Sequence, residues 1–307
     1  MKILVAGGAG FIGSHLVDRL LDQGHQVDVI DNLVTGRLAN IEHLSGNKSF
    51  RFLEADITHG PLDGQYDRIY NMASPASPVD FAKIPIEILM TGSLGQKNLL
   101  DLGAKCGARV LFASTSEVYG DPLVNPQPET YYGNVNCIGA RACYDEAKRF
   151  GEALTYNYLR HRGVDTRVVR IFNTYGPRMS PHDGRVIPNF FTQALQGEPM
   201  TVYGDGSQTR SLCYVSDMVL GVVKLMESEV TVPVNVGNPI EMTVLEIGNM
   251  IKKVTGIDSP FSFHPLPEND PKQRRPDTAR AQELLGWSAQ VDPLVGLGKT
   301  WSYFKEL

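Results

Sequence analysis

The chain has 307 residues, of which 42% are hydrophobic and 21% are charged, and its formal net charge is −5. These proportions are ordinary for a soluble globular protein. The acidic balance disfavours non-specific nucleic acid binding, because no basic excess is present to neutralise phosphates. No segment approaches the roughly 20 apolar residues of a membrane helix. The four cysteines are scattered without a CxxC pair or a Cys/His cluster, which indicates free thiols and predicts no metal site.

The amino terminus enters a strand at once. The opening MKILVAGGAG lacks the charged region and the long apolar core of a signal peptide. We therefore expect a cytoplasmic protein without a membrane segment.

Short apolar runs alternate with helical patterns in the first half of the chain. The runs KILVA, QVDVID, SFRFLEADI, DRIYNMA, RVLFAST and TRVVRIFNTYG predict six strands. After the first run, Phe11, Leu16, Leu20 and Leu21 recur at helical spacing, and Gly24 is a suitable helix stop. Such alternation is typical of an α/β fold with a parallel sheet and helices on both of its faces.

The composition of the sequence changes after Pro177, where Pro and Gly become frequent. VIPNFFTQALQG predicts a helix that ends at Gly197, and MTVLEIGNMIKKVTG predicts another, with a capping box formed by Thr243 and Glu246 and a stop at Gly256. We expect a first domain over residues 1–175, to which the chain returns around residues 208–240. Residues 176–307 then form mainly a smaller, mixed, substrate-binding region.

A glycine-rich turn links the first strand to the first helix. In GGAGFIG, Gly8, Gly10 and Gly13 fit GxGxxG, and Gly7, Gly10 and Gly13 fit GxxGxxG. Glycine allows a tight turn and a close approach of a pyrophosphate, which then faces the free N–H groups of the helix N-terminus. Asp31 follows the second strand, where a carboxylate would accept the adenosine ribose hydroxyls and repel a 2′-phosphate. The pattern predicts NAD rather than NADP, the alternative being that Asp31 is only a turn acid.

A second motif, YDEAK, places Tyr144 and Lys148 four residues apart, so that they share one face of a helix. Two solvated residues would give the same pattern, but here it follows the phosphate-binding turn and a strand that ends in Ser114-Thr115-Ser116. A neighbouring ammonium favours an ionised phenol, and lowering the tyrosine pKa by ~3 units corresponds to ~4 kcal/mol. We expect Lys148 and a positively charged nicotinamide to supply this stabilisation together. Tyr144 would then take a proton from a substrate hydroxyl that Thr115 holds.

At these residues the sequence resembles the extended short-chain dehydrogenase/reductases of the NAD-dependent epimerase/dehydratase superfamily, which act on nucleotide sugars. FNTYGPR belongs to the same shared set. The resemblance implies a Rossmann-type doubly wound parallel sheet, tightly held NAD and a homodimer. A narrower ordered set resembles the UDP-glucuronate decarboxylase (UDP-xylose synthase) family: NMASPASP, STSEVYGDP, QPETYYGNVN, ACYDEAKR, DGRVIPNF, TVYGDGSQTRS, YVSD and RRPD.

The stretch STSEVYG separates the activities within that superfamily. Relatives that dehydrate hexoses carry Thr-Asp-Glu, whereas this chain has Thr115, Ser116 and Glu117, and simple 4-epimerases usually lack the glutamate. The resemblance implies that the C-4 hydroxyl of UDP-glucuronate is oxidised with Tyr144 as base, that the β-keto acid loses CO2, and that the ketone is reduced again to give UDP-xylose. Thr115 and Tyr144 would stabilise the enolate oxygen. Glu117, directly or through water, would guide protonation at C-5.

The resemblance also assigns roles to individual positions. The implied catalytic residues are Thr115, Ser116, Glu117, Tyr144, Lys148 and Arg210, the last near the substrate carboxylate. The implied cofactor-binding residues are Gly7, Gly10, Phe11, Ile12, Gly13, Asp31, Asn32, Thr35, Gly36, Asp56, Ile57, Ala73, Ser74, Thr91, Ser114, Tyr144, Lys148 and Thr174. The implied UDP-sugar contacts are Asn173, Arg185, Tyr203, Arg210 and Arg274. A surface arginine paired with an acid is the alternative for Arg210, and a core tyrosine is the alternative for Tyr203.

Some positions depart from the family pattern. Met90-Thr91-Gly92 stands where Lys-Thr-Asn is usual, Cys137 replaces a proline, and Ala147 replaces a glycine. The fold and the cofactor are unaffected by these changes. Two other functions therefore stay open: a 4-epimerase or other NAD-dependent nucleotide-sugar enzyme, and a non-catalytic protein that binds NAD and a UDP-sugar.

Overall fold

The strands form where the apolar runs of the sequence lie. The computed structural model describes residues 1–266 and 273–307. The first six strands of the described residues are β1 (Lys2–Ala6), β2 (Gln26–Asp31), β3 (Phe50–Glu54), β4 (Arg68–Asn71), β5 (Arg109–Thr115) and β6 (Thr166–Ile171). The others are β7 (Thr174–Tyr175), β8 (Met200–Tyr203), β9 (Thr209–Ser211), β10 (Cys213–Tyr214), β11 (Val234–Val236), β12 (Glu241–Thr243) and β13 (Phe261–His264). Each of the six predicted runs contains one of the strands β1 to β6.

The helices follow the amphipathic patterns and their stop signals. In the described residues they are α1 (Phe11–Asp22), α2 (Pro78–Phe81), α3 (Pro85–Met90), α4 (Gln96–Cys106), α5 (Ala142–Arg162), α6 (Val186–Gln196), α7 (Val215–Glu227), α8 (Val244–Thr255), α9 (Ala279–Leu285) and α10 (Pro293–Phe304). The predicted capping box of α8 is present: Thr243 accepts from the Glu246 N–H, and Glu246 accepts from the Thr243 N–H. None of these helices has both the length and the apolar composition that a membrane crossing needs.

Seven strands of the described residues form one parallel sheet in the order β11-β6-β5-β4-β1-β2-β3. The order runs outward from β1 in both directions, so the direction of winding reverses between β1 and β4. In such sheets ligands bind at the carboxyl ends of the strands beside this switch point. The predicted α/β fold with a doubly wound parallel sheet is confirmed.

The carboxyl-terminal elements pack on the sheet through a shared core. One continuous cluster of buried side chains includes Ile3 and Val29 from the sheet, Phe191 from α6, Ile251 from α8 and Trp301 from α10. α7 and β11 carry the chain back to the sheet, where β11 pairs with β6. Short strand pairs, β8 with β13 and β9 with β12, lie outside the main sheet. The cleft between these elements and the carboxyl ends of the strands therefore has rigid walls.

Candidate active site

A large cavity lies at the carboxyl ends of the parallel strands. Its volume is about 830 Å³, which is within the range of cofactor and substrate sites. The wall combines the glycine-rich turn, the end of β5, the first turns of α5 and α6, and residues of β8 and β9. All of the residues predicted to be catalytic or substrate-binding line it: Thr115, Ser116, Glu117, Tyr144, Lys148, Asn173, Arg185, Tyr203, Arg210 and Arg274. The fold thus gathers side chains from positions spread over about 160 residues of sequence.

The turn from β1 to α1 is built for an anion. Gly7 has φ +76°, and a Cβ there would lie 2.6 Å from the backbone of Ala73. A Cβ on Gly13 would lie 2.1 Å from the carbonyl oxygen of Gly7. No side chain caps the N-terminus of α1, and no acidic residue lies in its first turn. The N–H groups at this helix end therefore stay available, and the turn fits the pyrophosphate of a dinucleotide.

Asp31 ties this turn to the end of β2. Its carboxylate accepts hydrogen bonds from the Ala9 N–H at 3.0 Å and from the Leu33 N–H at 2.9 Å. Burial raises the pKa of Asp31, while these two bonds act in the opposite direction. Next to it, Asn32 donates to Asp56 at 2.9 Å, which joins the ends of β2 and β3. The carboxylate is placed beside the turn, as a ribose acceptor requires.

The predicted cofactor contacts divide into two groups. Gly7, Gly10, Phe11, Ile12, Gly13, Thr35, Ser74, Ser114, Tyr144, Lys148 and Thr174 line the large cavity. Asp31, Asn32, Gly36, Asp56, Ile57, Ala73 and Thr91 do not line it. Most of this second group borders the turn or the ends of β2 and β3. Thr91 is the exception: its hydroxyl donates to the Glu87 carbonyl one helical turn earlier, and its contact with the cofactor stays a prediction.

Tyr144 and Lys148 project from one face of α5, as their spacing predicts. The ammonium of Lys148 donates to the Ala113 carbonyl at 2.7 Å and lies 5.7 Å from the centre of the Tyr144 ring. Burial lowers the pKa of Lys148 to about 7 and raises the pKa of Tyr144 to about 12, although its interaction with Thr115 opposes the latter shift. The protein alone therefore holds Tyr144 as a neutral phenol. Its ionisation needs a further positive charge, which the sequence argument assigned to the nicotinamide.

Glu117 lies in a short 3-10 turn that continues from β5. Thr115 caps this turn by accepting from the Glu117 N–H at 3.2 Å. The Glu117 carboxylate is paired with Arg141 at 2.8 Å and with Arg274. Burial raises the pKa of Glu117, but the two guanidinium groups outweigh burial and hold the pKa well below the usual range. Glu117 is therefore ionised, buried and oriented by two cations.

Arg274 contacts the Glu117 carboxylate together with Arg141. Arg274 also donates to the Gly120 carbonyl at 3.2 Å, which fixes its position. Arg210 lies on β9, where it donates to the Thr209 carbonyl at 2.9 Å and lines the cavity. The expected place of Arg210 beside the substrate carboxylate stays a prediction, whereas the ion pair between Arg274 and Glu117 was not predicted. The sequence order hides this arrangement, because Arg274 lies 157 residues from its partner.

The remaining predicted residues lie further along the cavity wall. Arg185 precedes α6 and forms two contacts with Asp183, one of them at 2.6 Å. Tyr203 ends β8, and 42% of it is exposed, so it is not the core tyrosine that was the alternative. Asn173 lies between β6 and β7 in the wall. Cations and an exposed ring along one groove suit a diphosphate and a flat base.

Three cavity residues were not found by the sequence argument. Arg141 pairs with Glu117, and Asp183 fixes Arg185. Phe81 stacks on the ring of Tyr144, with the centres 5.1 Å apart and the planes at 17°. Phe81 lies in NMASPASPVDF, next to a quoted motif, but no periodicity connects it to α5. Only the fold brings these side chains to the site.

Known proteins share both the sequence and the fold. The model of the NAD dependent epimerase/dehydratase family matches residues 3–237. The chain belongs to this family. It is 52% identical over 303 residues to UDP-glucuronic acid decarboxylase 1 of Danio rerio, and this alignment covers 99% of this chain and 72% of that protein. It is 49% identical over 298 residues to UDP-glucuronic acid decarboxylase 3 of Arabidopsis thaliana, with coverage of 97% and 87%.

Solved structures of the same family have the same fold. UDP-glucuronic acid 4-epimerase from Bacillus cereus, in complex with UDP-glucuronic acid and NAD, superposes with a TM-score of 0.90 at 29% identity and covers 100% of this chain and 99% of that one. UDP-glucose 4-epimerase from Thermotoga maritima, with UDP-glucose, gives a TM-score of 0.90 at 31% identity with the same coverage. The predicted membership in this superfamily and the predicted cofactor, NAD, are confirmed.

Proposed function

We propose that this enzyme decarboxylates UDP-glucuronate to UDP-xylose through a 4-keto intermediate. The observation that carries the proposal is the position of Glu117, ion-paired with Arg141 and Arg274 in the same cavity wall as Thr115 and Tyr144. Relatives at about 50% identity over nearly the whole chain are UDP-glucuronic acid decarboxylases, whereas the epimerase structures are near 30%. This agrees with the function predicted from the sequence.

Tyr144, Lys148 and Thr115 provide the dehydrogenase chemistry. NAD held at the glycine-rich turn would supply the hydride acceptor for the oxidation at C-4 and the hydride donor for the later reduction. Tyr144 takes the proton of the C-4 hydroxyl, and Thr115 holds the same oxygen by a hydrogen bond. Lys148, anchored on the Ala113 carbonyl, fixes the orientation of the phenol. Once a ketone stands at C-4, the neighbouring carboxylate leaves as CO2 because its electron pair passes into an enolate, whose oxygen Thr115 and Tyr144 stabilise.

Glu117 and the two arginines act on the other side of the sugar. The guanidinium of Arg274 balances the buried charge of Glu117 and adds positive potential for the substrate carboxylate. Because the pKa of Glu117 is held low, Glu117 does not carry a stored proton at neutral pH. Its role is to orient a water molecule for protonation at C-5. Arg185 and Arg210 supply cations for the diphosphate portion.

Product analysis tests the reaction. Purified enzyme with NAD and UDP-glucuronate should give a product lighter by one CO2, with the proton NMR spectrum of UDP-xylose. In D2O one deuterium should enter at C-5. A product of unchanged mass would favour the 4-epimerase alternative. Binding of NAD and UDP-sugar without turnover would favour the non-catalytic alternative.

A homodimer and a cytoplasmic location are further parts of this proposal. α3 and α5 pack together and leave Ile86, Met90 and Phe150 exposed at 63%, 42% and 52%. Exposed apolar groups on neighbouring helices favour association with a second copy. Sedimentation velocity should therefore give the mass of two chains, and a concentration-independent monomer would contradict the dimer. The location rests on the sequence argument alone, and fractionation of cells tests it.

A further inference from the structure

A second, smaller cavity lies on the far side of Glu117. Its volume is about 70 Å³, above the roughly 10–15 Å³ that one water molecule needs. Its wall is formed by Glu117, Gly120, Asp121, Asn134, Asn136, Gly139, Arg141 and Asp145. Asp121, Asn134 and Asn136 are exposed, whereas Glu117 and Asp145 are screened from solvent. The small cavity therefore leads from the surface to the back of the Glu117 ion pairs.

Asp145 is the unexplained group in this wall. It lies on α5, directly after Tyr144, and is only 5% exposed. Its Oδ1 atom has no hydrogen-bond partner among residues 1–266 and 273–307. A buried polar atom without a partner costs free energy, unless water or a proton satisfies it. Glu117 and Arg141 line both cavities, so Asp145 shares a wall with an ion pair that also faces the active site.

The proposed reaction requires a proton from outside. The bond between C-5 and the carboxylate breaks, its electron pair enters the enolate, CO2 leaves, and one proton from water forms the new C–H bond at C-5. Each turnover therefore consumes one proton. Glu117 cannot store it, because Arg141 and Arg274 keep its carboxylate ionised. A route that renews the proton at the back of Glu117 would meet this need.

We propose that the small cavity is a water-filled entry route for this proton and that Asp145 is the positioning residue that holds the proton beside Glu117. The inference rests on the proposed decarboxylation. Asp145 does not contact the sugar, and it acts through water and Glu117. Asn136 and Asn134 form the outer mouth of the route.

The charges around Asp145 suit a carboxyl that is protonated part of the time. Burial, and after it the negative charge of Glu117, raise the pKa of Asp145 above that of an ordinary carboxyl, while Arg141 and Arg274 oppose the shift. The titratable and charged groups that face it in the described residues are Glu117, Arg141, Arg274, Asp121, Tyr144, Cys143 and Glu146. Since delivery requires the protonated form, the step should slow as the pH rises through this raised pKa.

Two variants interrupt the route at different places. Asp145→Asn keeps the shape but removes the proton carrier. Asn136→Leu places an apolar side chain at the exposed mouth and removes the oxygen that accepts from the Ile138 N–H. Single turnovers of the NAD-loaded enzyme can be followed by the absorbance of NADH. We expect NADH to form at the wild-type rate in both variants, and its later consumption, seen as the decay of this absorbance, to slow about tenfold. The KM for UDP-glucuronate should stay within about twofold of wild type. Asp145→Glu should restore most of the decay rate.

The control is Glu146→Gln, which removes a carboxylate from the next position of α5 that is partly exposed and paired with Arg149. Its decay rate should stay close to that of wild type, because Glu146 has the smallest effect among the charges that shift the pKa of Asp145. The wild-type decay should slow at alkaline pH, and Asp145→Asn should lose this dependence. Decay rates and pH profiles equal to wild type in both Asp145→Asn and Asn136→Leu would overturn the route. Absence of UDP-xylose with the wild-type enzyme would instead overturn the proposed function.

Discussion

The turn between β1 and α1 and the ion-pair cluster around Glu117 are assembled in opposite ways. The turn takes its shape from consecutive backbone whose glycines all lie between Gly7 and Gly13, although Gly7 also abuts Ala73. The cluster joins Glu117 to Arg141 and Arg274, which lie 24 and 157 residues further along the chain. The first kind of site is visible as a local motif, whereas the second exists only after folding. The difference teaches that the cofactor can be inferred from a sequence with more detail than the groups that decide what happens after oxidation.

The largest effect is expected at Tyr144, which lines the same cavity as the turn and Glu117. Tyr144→Phe removes the base, and kcat should fall by about 10²–10⁴ because no other positioned group takes the proton. No NADH absorbance should appear during a single turnover. Binding of NAD should persist, since the turn is untouched. NADH formed at more than a trace rate would show that another group is the base.

A matched control lies on the same helix. Tyr156→Phe removes a hydroxyl that is buried and has no hydrogen-bond partner in the described part of the chain. It should leave the NADH signal and kcat near wild type. Equal losses in both variants would mean that the Tyr144 effect is structural.

The next effect distinguishes Arg274, which pairs with Glu117, from Arg210, which lies in the cavity wall. Arg274→Gln leaves Glu117 buried with Arg141 as its remaining described partner, and breaking a buried pair costs about 3–5 kcal/mol of stability. We expect a lower melting temperature and a loss of the steps after oxidation, with NADH persisting. Arg210→Gln should mainly raise the KM, because Arg210 lies in the groove wall and not on Glu117. A later-step defect confined to Arg210→Gln would support the place beside the substrate carboxylate that the resemblance implies for Arg210.

The stability difference for Arg274→Gln should depend on pH with a defined sign. The pKa of Glu117 is depressed in the folded protein by Arg274 and Arg141, which together outweigh burial. The ion pair therefore contributes fully to the free energy of unfolding above the pKa of a glutamate in the unfolded chain. This contribution is lost as the pH falls through the pKa of Glu117 in the folded protein. Thermal unfolding from neutral to acidic pH should show the gap between wild type and variant closing. A gap independent of pH would point to lost packing instead.

The sequence predicted those parts of the fold and site that depend on local periodicity. The alternation of runs gave the parallel sheet, and a spacing of four placed Tyr144 and Lys148 on one face of α5. It could not pair Arg274 with Glu117, because the two residues lie 157 positions apart and only the folded chain brings them together. The sequence also did not show that the Thr91 hydroxyl donates to the helix backbone, and its contact with the cofactor stays a prediction. Nor could the sequence show that a buried oxygen of Asp145 lacks a hydrogen-bond partner in the described residues, because this depends on how the chain packs.

The smallest effect is expected in the region that the sequence described best. Asp31→Ala removes a carboxylate that accepts from Ala9 and Leu33 and that we assign to the adenosine ribose. Hydrogen bonds to a charged group contribute about 1.5–3 kcal/mol, but the backbone of the turn stays in place, so we expect the NAD dissociation constant to rise by roughly tenfold or less. Titration of the cofactor-stripped protein measures this change. Asp31→Asn should lose less affinity for NAD and discriminate less against NADP, because an amide still accepts a hydrogen bond but no longer repels a 2′-phosphate. Unchanged affinity in both variants would mean that Asp31 serves only to tie β2 to the turn.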